Sequence, residues 1–188
     1  MGIILASASP RRRELLSLLG VPFTVITAPV AEPPPDPALS PPENLRAITS
    51  AKLAPVAAAH SADTIIAADT VVVLDNTYFG KPTDSADAAR MLRALSGKTH
   101  EVYTGVIVQN AAAAEFAHAR TRVTFRELSD TAVAAYVATG EPMDKAGAYG
   151  IQGAGARLVA RIDGDYYNVM GLPLGLLRGM LHNIGLEL

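Results

Sequence analysis

Apolar and polar positions along the chain form short apolar runs and helical periodicities that alternate with turn residues. The chain opens on an apolar run, Ile3 to Ala6, and after Ser9-Pro10 four leucines give the next segment one apolar side. A serine N-cap, a proline at the first helical position and Gly20 after the last leucine are typical helix boundaries. We therefore predict a strand, a tight loop and a helix at the start of the chain.

The rest of the chain continues this interleaving of strands and helices. Residues 29–42 hold most of the prolines and predict an extended loop, followed by a helix from about Glu43 to Lys52 that Pro55 disturbs. The next apolar run predicts a buried strand from Thr64 to Leu74, interrupted at Asp69-Thr70. Asp84 or Ser85 is predicted to cap a helix that runs to Leu95, and Ser129 to cap another that ends near Gly140. A last helix is predicted to begin near Pro173, and strands are predicted over 100–108 and 116–125, as a pair, and over 157–162.

The order of these elements predicts the fold class. Interleaved strands and helices with at least one hairpin are typical of the α/β class with a mixed sheet. A chain of 188 residues is long enough for one sizeable core. Because no internal repeat and no long linker is visible, we predict one domain over residues 1–188.

Composition and charge narrow the possible functions. A formal net charge of −2 and a pI of about 6.1 disfavour nucleic acid as a partner, since such proteins usually carry a basic surplus. The chain has no cysteine, which excludes disulfides and thiolate metal sites. No apolar stretch reaches the ~20 residues that span a bilayer, and no signal peptide is recognisable. We expect a cytoplasmic protein with no membrane partner.

Three arginines, Arg11 to Arg13, stand in the first turn of the first predicted helix. Basic residues are unfavourable at this end of the helix dipole, yet a helix N-terminus binds anions and guanidinium groups match phosphate oxygens. This conflict indicates a phosphate site. The alternative is a solvated basic turn paired with Glu14.

Asp69 stands in the middle of an apolar strand pattern. A buried carboxylate is costly unless it is paired or binds a cation, so Asp69 is a candidate metal ligand or proton acceptor. The alternative is a residue that caps a turn at the strand end. Lys52 and Lys81 are isolated lysines, which are usually solvated and indicate little alone.

A glycine-rich segment, from Asp144 to Gly155, allows a backbone to approach a ligand closely, and Gln152 within it can recognise a base by both donors and acceptors. Two other motifs fail. Gly97-Lys98-Thr99 resembles the end of a P-loop, but Leu92 stands where that motif needs a glycine. The four histidines are scattered along the chain, so we expect no histidine metal site. The residues alone therefore indicate metal-assisted chemistry on a phosphorylated ligand, without selecting the reaction.

Six blocks of sequence together resemble the Maf (septum-formation) family. They are Leu5 to Arg12, Ala68-Asp69-Thr70, Gly80-Lys81-Pro82, Gly97 to His100, Asp144 to Gly153 and Gly171-Leu172-Pro173, in family order and over nearly the whole chain. The resemblance implies an ITPase-like (Maf/Ham1-type) α/β fold, with a mixed twisted sheet flanked by helices and a central cleft. It also implies a house-cleaning nucleoside triphosphate pyrophosphatase that requires Mg²⁺ or Mn²⁺, forms homodimers and has a link to cell-division arrest.

The resemblance also assigns roles to individual residues. It implies that Asp69 is the catalytic residue and holds the metal together with Glu32. The phosphate-binding residues would be Ser7, Arg12, Lys52 and Lys81, and the residues that select the substrate would be Arg11, Thr70 and Gln152.

The pair Asp69-Thr70 and the block from Asp144 to Gly153 resemble the dTTP/UTP branch of the family. This branch would hydrolyse dTTP and UTP to the monophosphate and pyrophosphate, with CTP and modified pyrimidine nucleotides as further candidates. Two alternatives stay open. One is the same reaction on 7-methyl-GTP or on deaminated purine triphosphates, and the other is a non-catalytic nucleotide sensor that regulates division.

Overall fold

The computed structural model describes residues 2–187, and strands and helices alternate along them as the apolar pattern predicts. The strands are β1 (Ile3–Leu5), β2 (Thr24–Val25), β3 (Thr64–Leu74), β4 (Thr77–Phe79), β5 (Thr99–Gln109), β6 (Ala114–Phe125) and β7 (Val159–Asp163). The α-helices are α1 (Pro10–Ser17), α2 (Pro41–Ala59), α3 (Ser85–Leu95), α4 (Asp130–Val137), α5 (Tyr166–Met170) and α6 (Leu174–Asn183). Short 3₁₀ helices cover Glu141–Asp144, Ala146–Ala148 and Gly153–Leu158.

The strands form one mixed sheet in the order β2-β1-β3-β5-β6-β7, with β4 paired to β3. The pairs β1–β2 and β1–β3 are parallel, with Ile3 opposite Thr64 in the second pair. The pairs β3–β4 and β6–β7 are antiparallel. The predicted α/β class with a mixed sheet and helices is confirmed.

The chain divides into two compact units. The first unit runs to Thr70 and adds Thr104–Ala119 and the residues from Gly171 onward, and the second contains Val71–Tyr103 and Arg120–Met170. The prediction of a single domain over residues 1–188 stays a prediction.

Each unit has its own apolar cluster. In the first unit, α2 packs on the strands through the cluster Ile4, Ala6, Leu53, Val56, Ile65, Ala67 and Ile107. In the second unit, α3, α4 and the strand ends bury a larger cluster that includes Leu92, Val102, Phe125, Tyr136 and Tyr149. Among the described residues, no helix combines the length and the apolar character needed to cross a membrane.

Helix α2 is longer than predicted, because Pro55 lies inside it without ending it. An internal proline costs roughly 3 kcal/mol. The apolar face continues past Lys52 through buried Leu53 and Val56, and each such side chain contributes about 1.5–3 kcal/mol on burial. Burial therefore outweighs the proline penalty, and the predicted disturbance at Pro55 is corrected.

Strand β3 is continuous, although the sequence predicts an interruption at Asp69-Thr70. The strand pairs with β1 over its first residues and with β4 over its last, so hydrogen-bonded neighbours hold it on both sides of Asp69. The alternative in which Asp69 caps a turn at a strand end is therefore wrong. A carboxylate does lie in the middle of an apolar strand.

Candidate active site

The loop between β1 and α1 places Ser7 beside Arg12. Ser9 caps α1 by accepting a hydrogen bond from the backbone N–H of Arg12 at 3.4 Å. Buried Ser7 accepts from the backbone N–H of Ser9 at 3.3 Å and from Nη1 of Arg12 at 3.2 Å. The predicted strand, loop and helix are confirmed, and the loop brings two of the predicted phosphate-binding residues into contact.

Arg12 is only 9% exposed, whereas its neighbour Arg13 is exposed. Its Nε donates to the carbonyl of Gly171 at 2.8 Å, and its Nη2 donates to the hydroxyl of Thr70 at 3.0 Å. These acceptors and Ser7 are all uncharged oxygen atoms. None of the ion pairs among the described residues includes Arg12.

The charge of Arg12 is therefore held in place without an ion pair. Desolvation by burial lowers the pKa of Arg12, and the nearby carboxylate of Asp69 partly offsets this effect. A guanidinium still stays protonated in a protein, so the site contains a buried positive charge. Such a charge favours an anionic ligand, which supports phosphate over the alternative of a solvated basic turn.

Thr70 connects Arg12 to the neighbouring strand. Its hydroxyl accepts from Arg12 and lies 2.9 Å from the hydroxyl of Thr104, which is fully buried on β5. Gly171, with a φ of +111°, closes the same cluster, because a Cβ there would lie 3.4 Å from Oγ1 of Thr70 and 3.5 Å from Nε of Arg12. The predicted specificity residue Thr70 is thus held by hydrogen bonds with Arg12 and Thr104, in a place where Gly171 leaves room for it.

Asp69 and Glu32 share one lysine. Nζ of Lys52 contacts Oδ1 of Asp69, and it lies 3.1 Å from Oε1 of Glu32. The side chains of Lys52 and Asp69 are 18% and 15% exposed, and that of Glu32 is 55% exposed. Glu32 in the proline-rich loop and Lys52 on α2 therefore meet Asp69 on β3, so three predicted site residues lie together.

This cluster fits a divalent cation that is bound jointly with a nucleotide. The ammonium group of Lys52 acts as a stand-in cation, which shows that Asp69 and Glu32 direct oxygen atoms at one positive charge. Mg²⁺ is usually held by one or two carboxylates together with substrate phosphates. Within residues 2–187, no group of three or more histidine or acidic side chains is placed to hold a metal. The two carboxylates of Asp69 and Glu32 match a site in which the protein and the substrate phosphates bind the cation together.

Lys81 and Gln152 belong to the second unit. Lys81 is exposed, and its side chain makes no hydrogen bond or ion pair with the part of the chain that is described. The carbonyl of the preceding residue, Gly80, accepts a hydrogen bond from the backbone N–H of Gly147 at 3.0 Å, which ties this turn to the glycine-rich segment. Arg11, on α1 in the first unit, is half-buried.

Gln152 lies in a loop that is pinned on both sides. Before it, the hydroxyl of Tyr136 accepts from the backbone N–H of Gly150 at 3.1 Å. After it, the carboxylate of Glu141 accepts from the backbone N–H groups of Ala154 at 3.0 Å and Gly155 at 3.2 Å. Gln152 itself is half-buried, and its side chain has no hydrogen-bond partner within residues 2–187.

Four residues of these two networks carry no predicted role: Thr104, Gly171, Tyr136 and Glu141. Thr104 is detectable as a polar residue inside the apolar run of β5. Gly171 stands in a recognised sequence block without an assigned function. No local sequence signal identifies Tyr136 and Glu141, because their role depends on contacts with a loop that lies 9 to 19 positions away.

Comparison with known proteins decides the family. The family model for Maf-like proteins matches residues 2–184. The chain belongs to the Maf family. Its relatives include a dTTP/UTP pyrophosphatase of Moorella thermoacetica, which is 51% identical over 98% of this chain and 96% of that protein. A dTTP/UTP pyrophosphatase of Pelotomaculum thermopropionicum is 49% identical over 97% of this chain and 96% of that protein.

Among solved structures, this Maf chain is partly similar to a nucleoside-triphosphatase, a dITP/XTP pyrophosphatase, of Mycobacterium abscessus. The TM-score is 0.45 at 16% identity, over 68% of this chain and 76% of that one. The family model and the sequence relatives confirm the predicted family. The homodimer, the cytoplasmic location and the roles of individual residues stay predictions.

Proposed function

We propose that this Maf chain is a nucleoside triphosphate pyrophosphatase that hydrolyses dTTP and UTP to the monophosphate and pyrophosphate. The observation that carries the proposal is the Asp69–Lys52–Glu32 cluster beside the buried charge of Arg12. Relatives named dTTP/UTP pyrophosphatase, about half identical over nearly both full lengths, support the same substrates.

The phosphates are bound by charge. Arg12 is fixed by Ser7, Thr70 and Gly171, so its remaining donors can bind phosphate oxygens without losing side-chain freedom on binding. Lys52 supplies a second positive charge, and we assign phosphate binding to Lys81 as well. Arg12 and Lys52 stabilise the negative charge that builds on the departing pyrophosphate.

Asp69 and Glu32 would hold Mg²⁺ or Mn²⁺. When bound, this ion would neutralise phosphate charge and lower the pKa of a bound water. A carboxylate oxygen of Asp69 accepts a proton from the attacking water. The water oxygen forms a bond to the α-phosphorus, the bond from that phosphorus to the bridging oxygen breaks, and pyrophosphate leaves.

Selection of the nucleotide falls to Arg11, Thr70 and Gln152 in this proposal. The amide of Gln152 has one donor group and one acceptor, which suits the edge of a pyrimidine base. A site that hydrogen-bonds a substrate group rejects analogues lacking that group strongly. Thr70 also fixes the orientation of Arg12, so its effect extends to phosphate binding.

The test measures the products from a panel of nucleotides. Purified protein is incubated with Mg²⁺ or Mn²⁺ and dTTP, UTP, CTP, 7-methyl-GTP or dITP, and pyrophosphate and orthophosphate are quantified separately. Release of pyrophosphate, fastest with dTTP and UTP, is expected. Release of orthophosphate contradicts attack at the α-phosphorus, faster turnover of 7-methyl-GTP or dITP contradicts the substrate class, and no turnover supports a nucleotide sensor.

A further inference from the structure

We propose that Glu141 is a positioning residue that sets nucleotide specificity by holding the loop around Gln152. The proposal rests on the proposed function, because it concerns how that activity selects its base. Glu141 stands in a 3₁₀ helix before the loop and does not need to contact the nucleotide itself.

One carboxylate organises three donors. Oε1 of Glu141 accepts from the hydroxyl of Tyr136 at 2.9 Å and from the backbone N–H of Gly155 at 3.2 Å, and Oε2 accepts from Ala154 at 3.0 Å. The hydroxyl of Tyr136, fixed by this bond, accepts in turn from the backbone N–H of Gly150. The chain on either side of Gln152 therefore depends, directly or through Tyr136, on Glu141.

The glycines of the loop allow its backbone to approach the carboxylate of Glu141 closely. A Cβ at Gly153 would lie 3.0 Å from Oε2 of Glu141, and a Cβ at Gly155 would lie only 2.1 Å from the carbonyl oxygen of Gly150. The loop thus folds back on itself around Gln152. The stem of Lys145 lies against Gly150, and its Nζ donates to the carbonyl of Glu141 at 2.6 Å.

Different side chains hold the loop and recognise the base in this proposal. The carboxylate of Glu141 and the hydroxyl of Tyr136 satisfy backbone groups, while the side chain of Gln152 has no hydrogen-bond partner in residues 2–187. A recognition group that discriminates by hydrogen-bond geometry needs fixed support, since a displacement of about 1 Å can cost ~100-fold in rate. Glu141 supplies that support.

The decisive variant is Glu141→Gln, which keeps the shape but replaces one acceptor oxygen with a donor NH₂ group. That group opposes either the N–H of Ala154 or that of Gly155, so the loop is released. We expect the ratio of kcat/KM for UTP to that for GTP to fall about tenfold. Glu127→Gln, which changes an exposed carboxylate in the same unit, is the matched control and should leave the ratio unchanged.

A double mutant shows whether Glu141 acts through Gln152. Gln152→Ala should lower the same ratio at least as much, and adding Glu141→Gln to it should cause no further fall, because the group that Glu141 positions is gone. Additive effects of the two changes would overturn the proposal. So would an unchanged ratio in Glu141→Gln, or an unchanged ratio in Gln152→Ala.

Amide hydrogen exchange tests, without an activity assay, whether Glu141 and Tyr136 hold the loop around Gln152. Exchange at residues 150–155 should be faster in Glu141→Gln than in wild type or Glu127→Gln, and Tyr136→Phe, which removes only a hydroxyl, should accelerate Gly150. Unchanged exchange at these residues in both variants would overturn the proposal. Wild-type protein without turnover of dTTP or UTP would instead contradict the proposed function, and the specificity role of Glu141 with it.

Discussion

Two regions of the molecule that carry predicted site residues are built differently. The first unit places the charged side chains of Lys52, Asp69 and Glu32 against one another, and it holds the charge of Arg12 by uncharged acceptors without an ion pair. The loop around Gln152 in the second unit places backbone instead, through hydrogen bonds to Tyr136 and Glu141 and through glycines at points of close approach. The first region should therefore be sensitive to changes of charge, and the second to changes of shape.

The largest expected effect is the loss of charge at Asp69. Asp69→Asn keeps the shape of the side chain but removes the proposed proton acceptor and metal ligand, so kcat for UTP should fall at least ~1,000-fold, or about 4 kcal/mol of barrier. Thermal stability should change little. Glu14→Gln, at an exposed carboxylate of α1, is the control and should retain activity. Activity within tenfold of wild type would remove Asp69 from the mechanism.

The matching change of shape is Gly155→Ala in the loop. The added methyl group would lie 2.1 Å from the carbonyl oxygen of Gly150 and 2.7 Å from the hydroxyl of Tyr136, so the loop must shift at a cost of about 3 kcal/mol. Urea denaturation measures this loss. The control is Gly179→Ala, at an exposed position of helix α6 where the added methyl group would have no atom within 4 Å, and stability should rise by about 0.5–1 kcal/mol. Equal effects of the two changes would contradict the close packing.

Arg12→Lys separates charge from geometry in the first unit, because it keeps the charge and changes only the geometry of the donors. An ammonium group cannot donate to Ser7, Thr70 and Gly171 from one planar fork. We expect kcat/KM for UTP to fall about 30-fold, or about 2 kcal/mol. Arg13→Lys on the same helix is exposed and should have no effect. Full activity of Arg12→Lys would mean that charge alone is sufficient there.

The smallest expected effect comes from pH and concerns His100, which lies in the second unit and is 1% exposed. Its Nε2 is 2.8 Å from the hydroxyl of Tyr149, and burial lowers the pKa of His100 to about 4. An unfolded histidine has a pKa near 6.5 and binds a proton first, so stability is complete above pH 6.5 and falls as the pH decreases. Between pH 6.5 and 5 the loss should be about 1–2 kcal/mol.

Urea denaturation between pH 5 and 7.5 measures this dependence in wild type and in His100→Gln. The variant lacks the titrating ring, so its stability should depend less steeply on pH over that range. The carboxylates are common to both proteins and cancel in the difference. Parallel curves for the two proteins would show that His100 is not held neutral by burial.

The two regions also differ in how far the sequence predicts them. Asp69 and the arginines of α1 conflict with their local context, and a local conflict is visible in a sequence. Glu141 and Tyr136 fit their context, and only the folded loop gives them a role. The same limit explains the helix error at Pro55, because the penalty of a proline is local whereas the burial of Leu53 and Val56 depends on tertiary packing.

The ammonium group of Lys52 lies at the carboxylates of both Asp69 and Glu32 and affects what the folded chain requires from a metal ion. Sites that collect several carboxylates around an ion often need the ion before they can fold, because the unscreened anions repel one another. Here Lys52 provides the counter-charge, so the carboxylates of Asp69 and Glu32 are neutralised in the folded chain without a metal ion. If the ion is bound as proposed, removing it with a chelator should stop turnover and leave the free energy of unfolding unchanged.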